Sequence, residues 1–368
     1  MRSSLRLAAL AALFALALVV GAAFTSRPAG VNGGVGPALQ SLGPLTFGAN
    51  GVLYAADPQA ATIYALELEP GSAATGTAGL ASVDEKVAAM LGTGASEIAI
   101  TDLAVDPRTK NSYLAVMRGR GAGAQPALLR VDGSGKLELL SLDDVRYTSV
   151  TLPNPADVNP AARTNPRAQS VMDLALHDGK LYVAGLSNEE FASKLWALPY
   201  PFTGADRGTS VEIFHGNHGR LETRSPVYSF VPYAVAGEPH LIAGYLCTPL
   251  VKFPLKSLAP GAKILGTTIA ELGAGNRPID MIQYRKDGKD FLLMSNTSRG
   301  VMKIGTERFA AETPITAPVP SGTAGVPFET IAAMAGVTQL DRLDDARAVV
   351  LRRASAQAPV QLETVVLP

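Results

Sequence analysis

The stretch PIDMIQYRKDGKDFLLMS, Pro278–Ser295, decides how this chain is read. An apolar run opens on Asp280, a polar turn follows at Lys286-Asp287-Gly288, and a second apolar run closes the unit. Apolar residues on either side of an Asp-Gly turn read as two antiparallel strands in a hairpin. The same order recurs along the chain. It appears in TDLAVDPRTKNSYLAVM (Thr101–Met117) and, with a tighter turn, in MDLALHDGKLYVAGL (Met172–Leu186). YSFVPYAVAGEPHLIAGYL (Tyr228–Leu246) carries Ser229 in place of the aspartate. LTFGANGVLYAAD (Leu45–Asp57) carries Thr46 there, and VTQLDRLDDARAVVLRR (Val337–Arg353) carries Thr338. The opening stretch is therefore one of six copies.

Each copy is followed by a third short apolar run, at Thr62, Ala127, Lys194, Leu250, Gly300 and Val360. Most have a fourth: EKVAAML at Glu85, KLELLSL at Lys136, SVEIFHG at Ser210, KILGTTI at Lys263 and PFETIAAM at Pro327. A four-strand unit recurring at roughly fifty residues is the signature of a β-propeller blade. The fold class expected is all-β, a six-bladed propeller. A seventh blade stays open if the long segments conceal a degenerate unit. The sixth unit lacks a fourth strand before the chain stops at Pro368. VGPALQSL, Val35–Leu42, is the expected N-terminal strand that closes the ring and leaves no bare sheet edge.

Composition agrees with a large β core. Apolar residues make up 47% and charged residues 17% of the 368-residue chain, with 36 Gly and 26 Pro to supply turns. The 32 basic and 32 acidic residues cancel, so no basic face is available for nucleic acid. The first residues, MRSSLRLAALAALFALALVVGAAF, pair Arg2 and Arg6 with an apolar stretch that ends in small residues. This pattern predicts a signal peptide over 1–23, a linker over 24–34 and one propeller domain over 35–368. Export to the periplasm or the extracellular space follows. An uncleaved N-terminal anchor is the alternative, since the apolar stretch is just long enough to span a bilayer. No membrane span is expected in the mature chain, and a monomer is expected. The one cysteine, Cys247, lies in an apolar run and reads as a small buried hydrophobe.

The blade pattern TDLAVDPRTKNSYLAVM…ALLRVD resembles NHL-repeat and SMP-30/gluconolactonase-like six-bladed propellers. The resemblance implies that the first strand of each blade lines a central channel and that its start faces the mouth. Thr46, Asp102, Asp173, Ser229, Asp280 and Thr338 would then ring that mouth. Asp102, Asp173 and Asp280 would need a cation, protons or basic neighbours, and oxygen-only ligands suit calcium or magnesium. A structural role for these aspartates in local turns is the competing expectation. The SMP-30-like enzymes hold their metal with a mixed Glu, Asn and Asp set. This chain departs from that set, with Thr46 at the first position and no asparagine at the other strand starts.

Arg167, Arg224 and Arg277 precede inner strands and could clamp a ligand's carboxylate or the ring aspartates themselves. The segment FHGNHGRLETR, Phe214–Arg224, holds His215 and His218, the candidate general bases of any catalytic reading. They are also a histidine pair with no third metal ligand nearby in sequence. The Pro- and Asn-rich Tyr147–Ala168 is expected to be irregular, on the mouth side, as a lid or a loose excursion. Pro70–Asp84 is expected to be a flexible loop on the opposite face. There is no Gly-x-Ser-x-Gly, Walker, His-Glu-x-x-His, dinucleotide or Cys-x-x-Cys-His motif, and Trp196 stands alone. The expected role is an exported propeller that binds a small molecule or a protein at its channel mouth without catalysis. The alternatives are a metal-dependent lactonase-like hydrolase or an oxidoreductase, and a structural scaffold with an Arg–Asp plug.

Overall fold

In the opening stretch, Pro278–Lys286 and Lys289–Asn296 pair antiparallel, with Lys286 opposite Lys289. The two turn residues, Asp287 and Gly288, both have positive φ, at 50° and 77°. Such a turn matches the twist of the strands it joins. Asp178-Gly179 and Ala236-Gly237 repeat the geometry in two other hairpins. The second strands are nearly continuous apolar runs, and Leu292, Leu293 and Met294 are fully buried. Each is sandwiched between neighbouring sheets, so both of its faces must be apolar.

The computed structural model describes residues 36–73, 79–159, 161–162, 164–247, 249–320 and 322–368. The predicted signal segment 1–23, the linker 24–34 and Val35 lie outside the described residues. Six sheets form a six-bladed β-propeller. Blade I holds Leu45–Phe47, Leu53–Asp57, Thr62–Glu67 and Arg146–Thr151. Blade II holds Ile98–Val105, Ser112–Arg118, Gln125–Val131 and Leu137–Leu139. Blade III holds Asp173–His177, Lys180–Leu186, Ser193–Pro199 and Thr209–His215, with the short Arg220–Glu222 outside. Blade IV holds Val227–Val235, Glu238–Tyr245, Pro249–Pro254 and Thr267–Leu272, edged by Thr323–Gly325. Blade V holds Pro278–Lys286, Lys289–Asn296, Met302–Gly305 and Phe328–Thr330. Blade VI holds Val337–Arg342, Arg347–Arg352 and Gln361–Val366. Among the described residues, no helix is long and apolar enough to cross a membrane.

The blades do not follow one another round the ring in chain order. The inner strand of blade I packs between those of blades II and III, and the inner strand of blade VI packs against that of blade II. The spatial order is therefore VI–II–I–III–IV–V. After three strands of blade I the chain leaves that blade and crosses the end of blade II. There Asn111 Nδ2 donates to Ser72 O at 2.9 Å and Arg130 Nη1 donates to Glu69 O at 2.8 Å. It then reaches the outer edge of blade VI, where Leu80 and Leu362 exchange two backbone hydrogen bonds of 2.9 Å. The helix Val83–Met90 leads into blade II, and only then does Arg146–Thr151 return to complete blade I. Two open edges are covered by segments distant in sequence, which removes the edges that would pair with other chains.

Three expectations are corrected here. Residues 36–42 form no strand, and Leu80 takes the edge of blade VI that Val35–Leu42 was expected to fill. EKVAAML belongs to the helix Val83–Met90, where Val83 and Val87, and Asp84 and Ala88, turn inward at helical spacing. The start of the irregular insertion is a strand instead: Tyr147–Thr151 is rich in β-branched residues and pairs along Thr62–Leu66.

Candidate functional site

The inner strands enclose a channel of about 1570 Å³, lined among others by Asp102, Asp173, Asp280, Asp341, Gln283 and Gln339. The aspartates are held by the blades themselves. Asp173 accepts from Leu174 N and from Phe230 N of blade IV, both at 2.7 Å. Asp280 accepts from Met281 N at 2.7 Å and from Leu340 N of blade VI at 2.8 Å. Asp341 accepts from Arg342 N and from Val105 N of blade II, both at 2.7 Å. Asp102 accepts from Leu45 N of blade I at 2.6 Å. Each carboxylate thus staples its inner strand to that of the next blade round the ring. The turn role expected for them extends to the junctions between blades.

The stapled carboxylates do not converge on one point. Among the described residues, the acidic, histidine and cysteine side chains whose ligand atoms gather within 4.8 Å of one another are His215, His218 and Cys247, not Asp102, Asp173 and Asp280. Both oxygens of Asp173 and of Asp280 already accept backbone N–H groups. The aspartates therefore do not fit a single calcium or magnesium ion. Their proton affinity is raised instead. Each carboxyl touches the channel space but is otherwise enclosed by protein, so the low-dielectric wall governs its proton affinity. Burial pushes Asp173 from 3.8 up to about 7, against the pull of the Phe230 and Leu174 N–H groups. Burial likewise pushes Asp341 up to about 6. Asp102 and Asp280 lie well above the usual carboxylate range, through burial and then the charges of neighbouring aspartates.

The arginines do not neutralise this ring. Arg167 Nε donates to Ala156 O at 2.6 Å and its Nη1 to Gln59 O at 3.3 Å, tying the insertion to blade I. Arg224 Nη1 donates to Glu190 O at 3.4 Å. Arg277 lies over the Tyr228 ring, 5.4 Å from its centroid, at the rim. The Arg–Asp plug is absent among the described residues. The insertion does reach the channel, as expected of a mouth-side segment, with Val158, Asn165 and Ala168 in its wall.

Two of the expected ring positions shift by register. β-Bulges add a residue before Asp102, Ser229, Asp280 and Gln339. In blade VI the residue matching Asp280 is therefore Gln339, not Thr338. In blade I, Thr46 pairs with Tyr54, as Ala104 pairs with Tyr113 and Ala175 with Tyr182. Pro44, bonded to Ala56, stands where blades II, III and V carry Asp. Ser229 is buried beside Asp173 and does not line the channel. Asp341 was missed because it lies one inner-strand repeat deeper than the position compared across the copies.

The histidines lie elsewhere. His215 ends the outer strand of blade III, and neither it nor His218 lines the channel. Their rings lie against each other at a tilt of 35°, with centroids 3.8 Å apart. Glu222 grips both, Oε2 at 3.1 Å from His215 Nδ1 and Oε1 at 2.6 Å from His218 Nδ1. Burial alone would raise Glu222, but hydrogen bonds from His215, Ser225 and His218 outweigh it and hold this carboxyl well below its usual range. Behind them Glu271 accepts from Gly216 N at 2.5 Å and from Asn217 Nδ2 at 2.8 Å. A Cβ at position 216 would come within 3.1 Å of Glu271, so glycine permits this approach.

No family profile matches the chain, and no curated protein matches it. Solved structures do. An aldose sugar dehydrogenase of Streptomyces coelicolor, solved with PQQ bound, is 11% identical, with 92% of this chain and 100% of that one covered, at a TM-score of 0.32. Hydrazine synthase of Kuenenia stuttgartiensis is 10% identical over 90% of this chain and 97% of that one, at a TM-score of 0.36. A Bacteroides uniformis protein assigned as a 6-phosphogluconolactonase is 12% identical over 87% of this chain and 78% of that one, at 0.35. Identities and TM-scores this low carry no argument about activity.

Proposed function

We propose that this protein binds a small, uncharged, polyhydroxylated molecule in its central channel, and that binding, not catalysis, is its role. The observation that carries this reading is the channel wall. Four carboxyls with raised proton affinity and the Gln283 and Gln339 amides face a space of about 1570 Å³. A carboxyl whose proton affinity is raised toward neutral pH can donate in its protonated form as well as accept, as amides do, and so complements hydroxyl groups. Among the described residues no cation forms an ion pair with these aspartates, so the charge the ring does carry is negative and disfavours anions. The space exceeds an ordinary small-molecule pocket of roughly 300–1,000 Å³, which leaves room for more than one sugar-sized unit. The mature chain is an exported protein in this proposal, on the strength of its first residues; N-terminal sequencing of the secreted product tests that part.

One observation favours a second reading. Asp173, with its pKa at about 7, is tuned for general acid–base work near neutrality. A hydrolase acting on a neutral sugar lactone would use that carboxyl. A panel of sugars, polyols, lactones, polyamines and dicarboxylates, read by thermal shift and product analysis, separates the readings. Stabilisation by neutral polyols without turnover supports the first. Lactone turnover lost in Asp173→Asn supports the second. Stabilisation by dicarboxylates alone overturns both.

A further inference from the structure

We propose that His215, His218 and Cys247 form a binding site for a borderline-soft divalent metal of the zinc class, outside the channel. The thiol and one ring nitrogen of each histidine lie within 4.8 Å of one another. They come from two blades: the histidines from the hairpin that ends blade III, Cys247 from the turn between the second and third strands of blade IV. That turn is fixed by Cys247 N donating to Asn276 O at 2.7 Å.

The donor set and its orientation both point to a metal. Glu222 can only accept when ionised, so the Nδ1 atoms it grips carry protons, and in the neutral imidazoles both Nε2 atoms keep their lone pairs. A carboxylate holding the far nitrogen of a ligating imidazole is the usual support of a metal-bound histidine. One carboxylate here supports two, and Ser225 and Arg220 hold it in turn. The independent observation is His215 Nε2. The residue is 1% exposed, and this atom has no hydrogen-bond partner. Glu271 Oε2 is 4.0 Å away, too far for a hydrogen bond. A buried lone pair aimed at nothing is costly unless something fills the space.

Thiolate plus imidazole ligands select zinc, cobalt or copper over calcium or magnesium. Ligand atoms round a tetrahedral zinc lie roughly 3.3–3.6 Å apart, so atoms at the 4.8 Å limit would close by about 1.2–1.5 Å on binding. The fourth position falls beside Glu271 Oε2, open to that carboxylate or to water. A metal here would tie the outer hairpin of blade III to blade IV.

The test uses tag-free protein stripped with chelator, then titrated with Co(II) and competed with Zn(II). The expected result is one cobalt per chain, with the visible bands of a tetrahedral site and a near-ultraviolet thiolate-to-metal band. Zinc should displace the cobalt and block alkylation of Cys247, while calcium and magnesium do neither. Cys247→Ser should lose the thiolate band with its circular dichroism unchanged. Glu222→Gln should weaken the metal about 10–100-fold, as outer-shell substitutions do. Binding without a thiolate band, zinc that leaves Cys247 open to alkylation, or no stoichiometric binding would overturn the proposal. No residue is shared with the channel wall, so either result leaves the channel reading standing on its own test.

Discussion

Replacing Asp173 with asparagine should change the stability of the protein by an amount that depends on pH. In the fold its carboxyl titrates at about 7, against 3.8 as its ordinary value. A carboxyl with a raised folded pKa binds its proton more tightly in the native than in the unfolded state. Its contribution is therefore full below about pH 4, declines as pH rises, and is gone above about pH 7. The whole rise corresponds to about 4 kcal/mol, an upper bound because channel water screens the charge. Between about pH 5 and pH 8 the wild type should lose about 3 kcal/mol through this residue, and Asp173→Asn should lose none of it. The amide keeps one acceptor oxygen where the carboxylate had two, so either the Leu174 or the Phe230 N–H loses its partner, at about 1–3 kcal/mol. That cost is the same at both pH values. Urea unfolding followed by circular dichroism, near pH 5 and near pH 8, gives the difference of differences. The variant should be the less stable protein at the acid end and close the gap, or overtake, at the alkaline end. A gap that widens with pH would mean the charged form is the stabilising one, as a bound cation or an arginine partner would make it, and would refute the reasoning.

Three further outcomes follow from the packing. Asp280→Ala leaves the Leu340 N–H without its acceptor and should cost about 1–3 kcal/mol in denaturant unfolding, with a lower Tm. Leu293, fully buried in the second strand of blade V, should cost about 2–5 kcal/mol when changed to Ala, measured the same way. The ring order is open to a covalent test: Leu80 and Leu362 form a hydrogen-bonded antiparallel pair, which places their Cα atoms about 5.5 Å apart. The double variant Leu80→Cys/Leu362→Cys should form a disulfide on oxidation, seen as a mobility shift on a non-reducing gel. Failure to cross-link would contradict closure of blade VI by the segment before the helix.

The blades were legible because each carries its own local signal. Alternation, an Asp-Gly turn and a continuous apolar second strand are written within about twenty residues of one another, and the six copies reinforce each other. Ring order was not legible. Nothing within residues 68–83 or 146–151 states which blade edge each will cover, since pairing between distant edges depends on the assembled ring. The channel aspartates were found at blades II, III and V because they occupy the start of strongly patterned strands. Bulges displaced the count in blade VI, and the short first strand displaced it in blade I. Their role was half visible: a repeated Asp suggested backbone bonding, but not that the donor would belong to the next blade. The arginines near them in sequence are taken up by other partners: Arg167 by Ala156 and Gln59, Arg224 by Glu190, and Arg277 by the Tyr228 ring. Cys247 read as a hydrophobe from its apolar neighbours. Only the packing of blade III against blade IV brings it to His215 and His218.

The central claim is that raised proton affinity, not a cation or arginines, limits the negative charge of the channel wall for an uncharged guest. Carbon-13 NMR of aspartate-labelled protein tests it directly, by following the side-chain carboxyl signals of Asp102, Asp173, Asp280 and Asp341 as pH is raised. The account predicts Asp173 titrating at about 7 and Asp341 at about 6, with Asp102 and Asp280 well above the ordinary range. The half-buried Asp344 outside the channel, held low by Arg347, should titrate below it. Four channel signals that all titrate at the ordinary aspartate value or lower would contradict the account, because the wall would then be fully charged at neutral pH and would need a cation to exist.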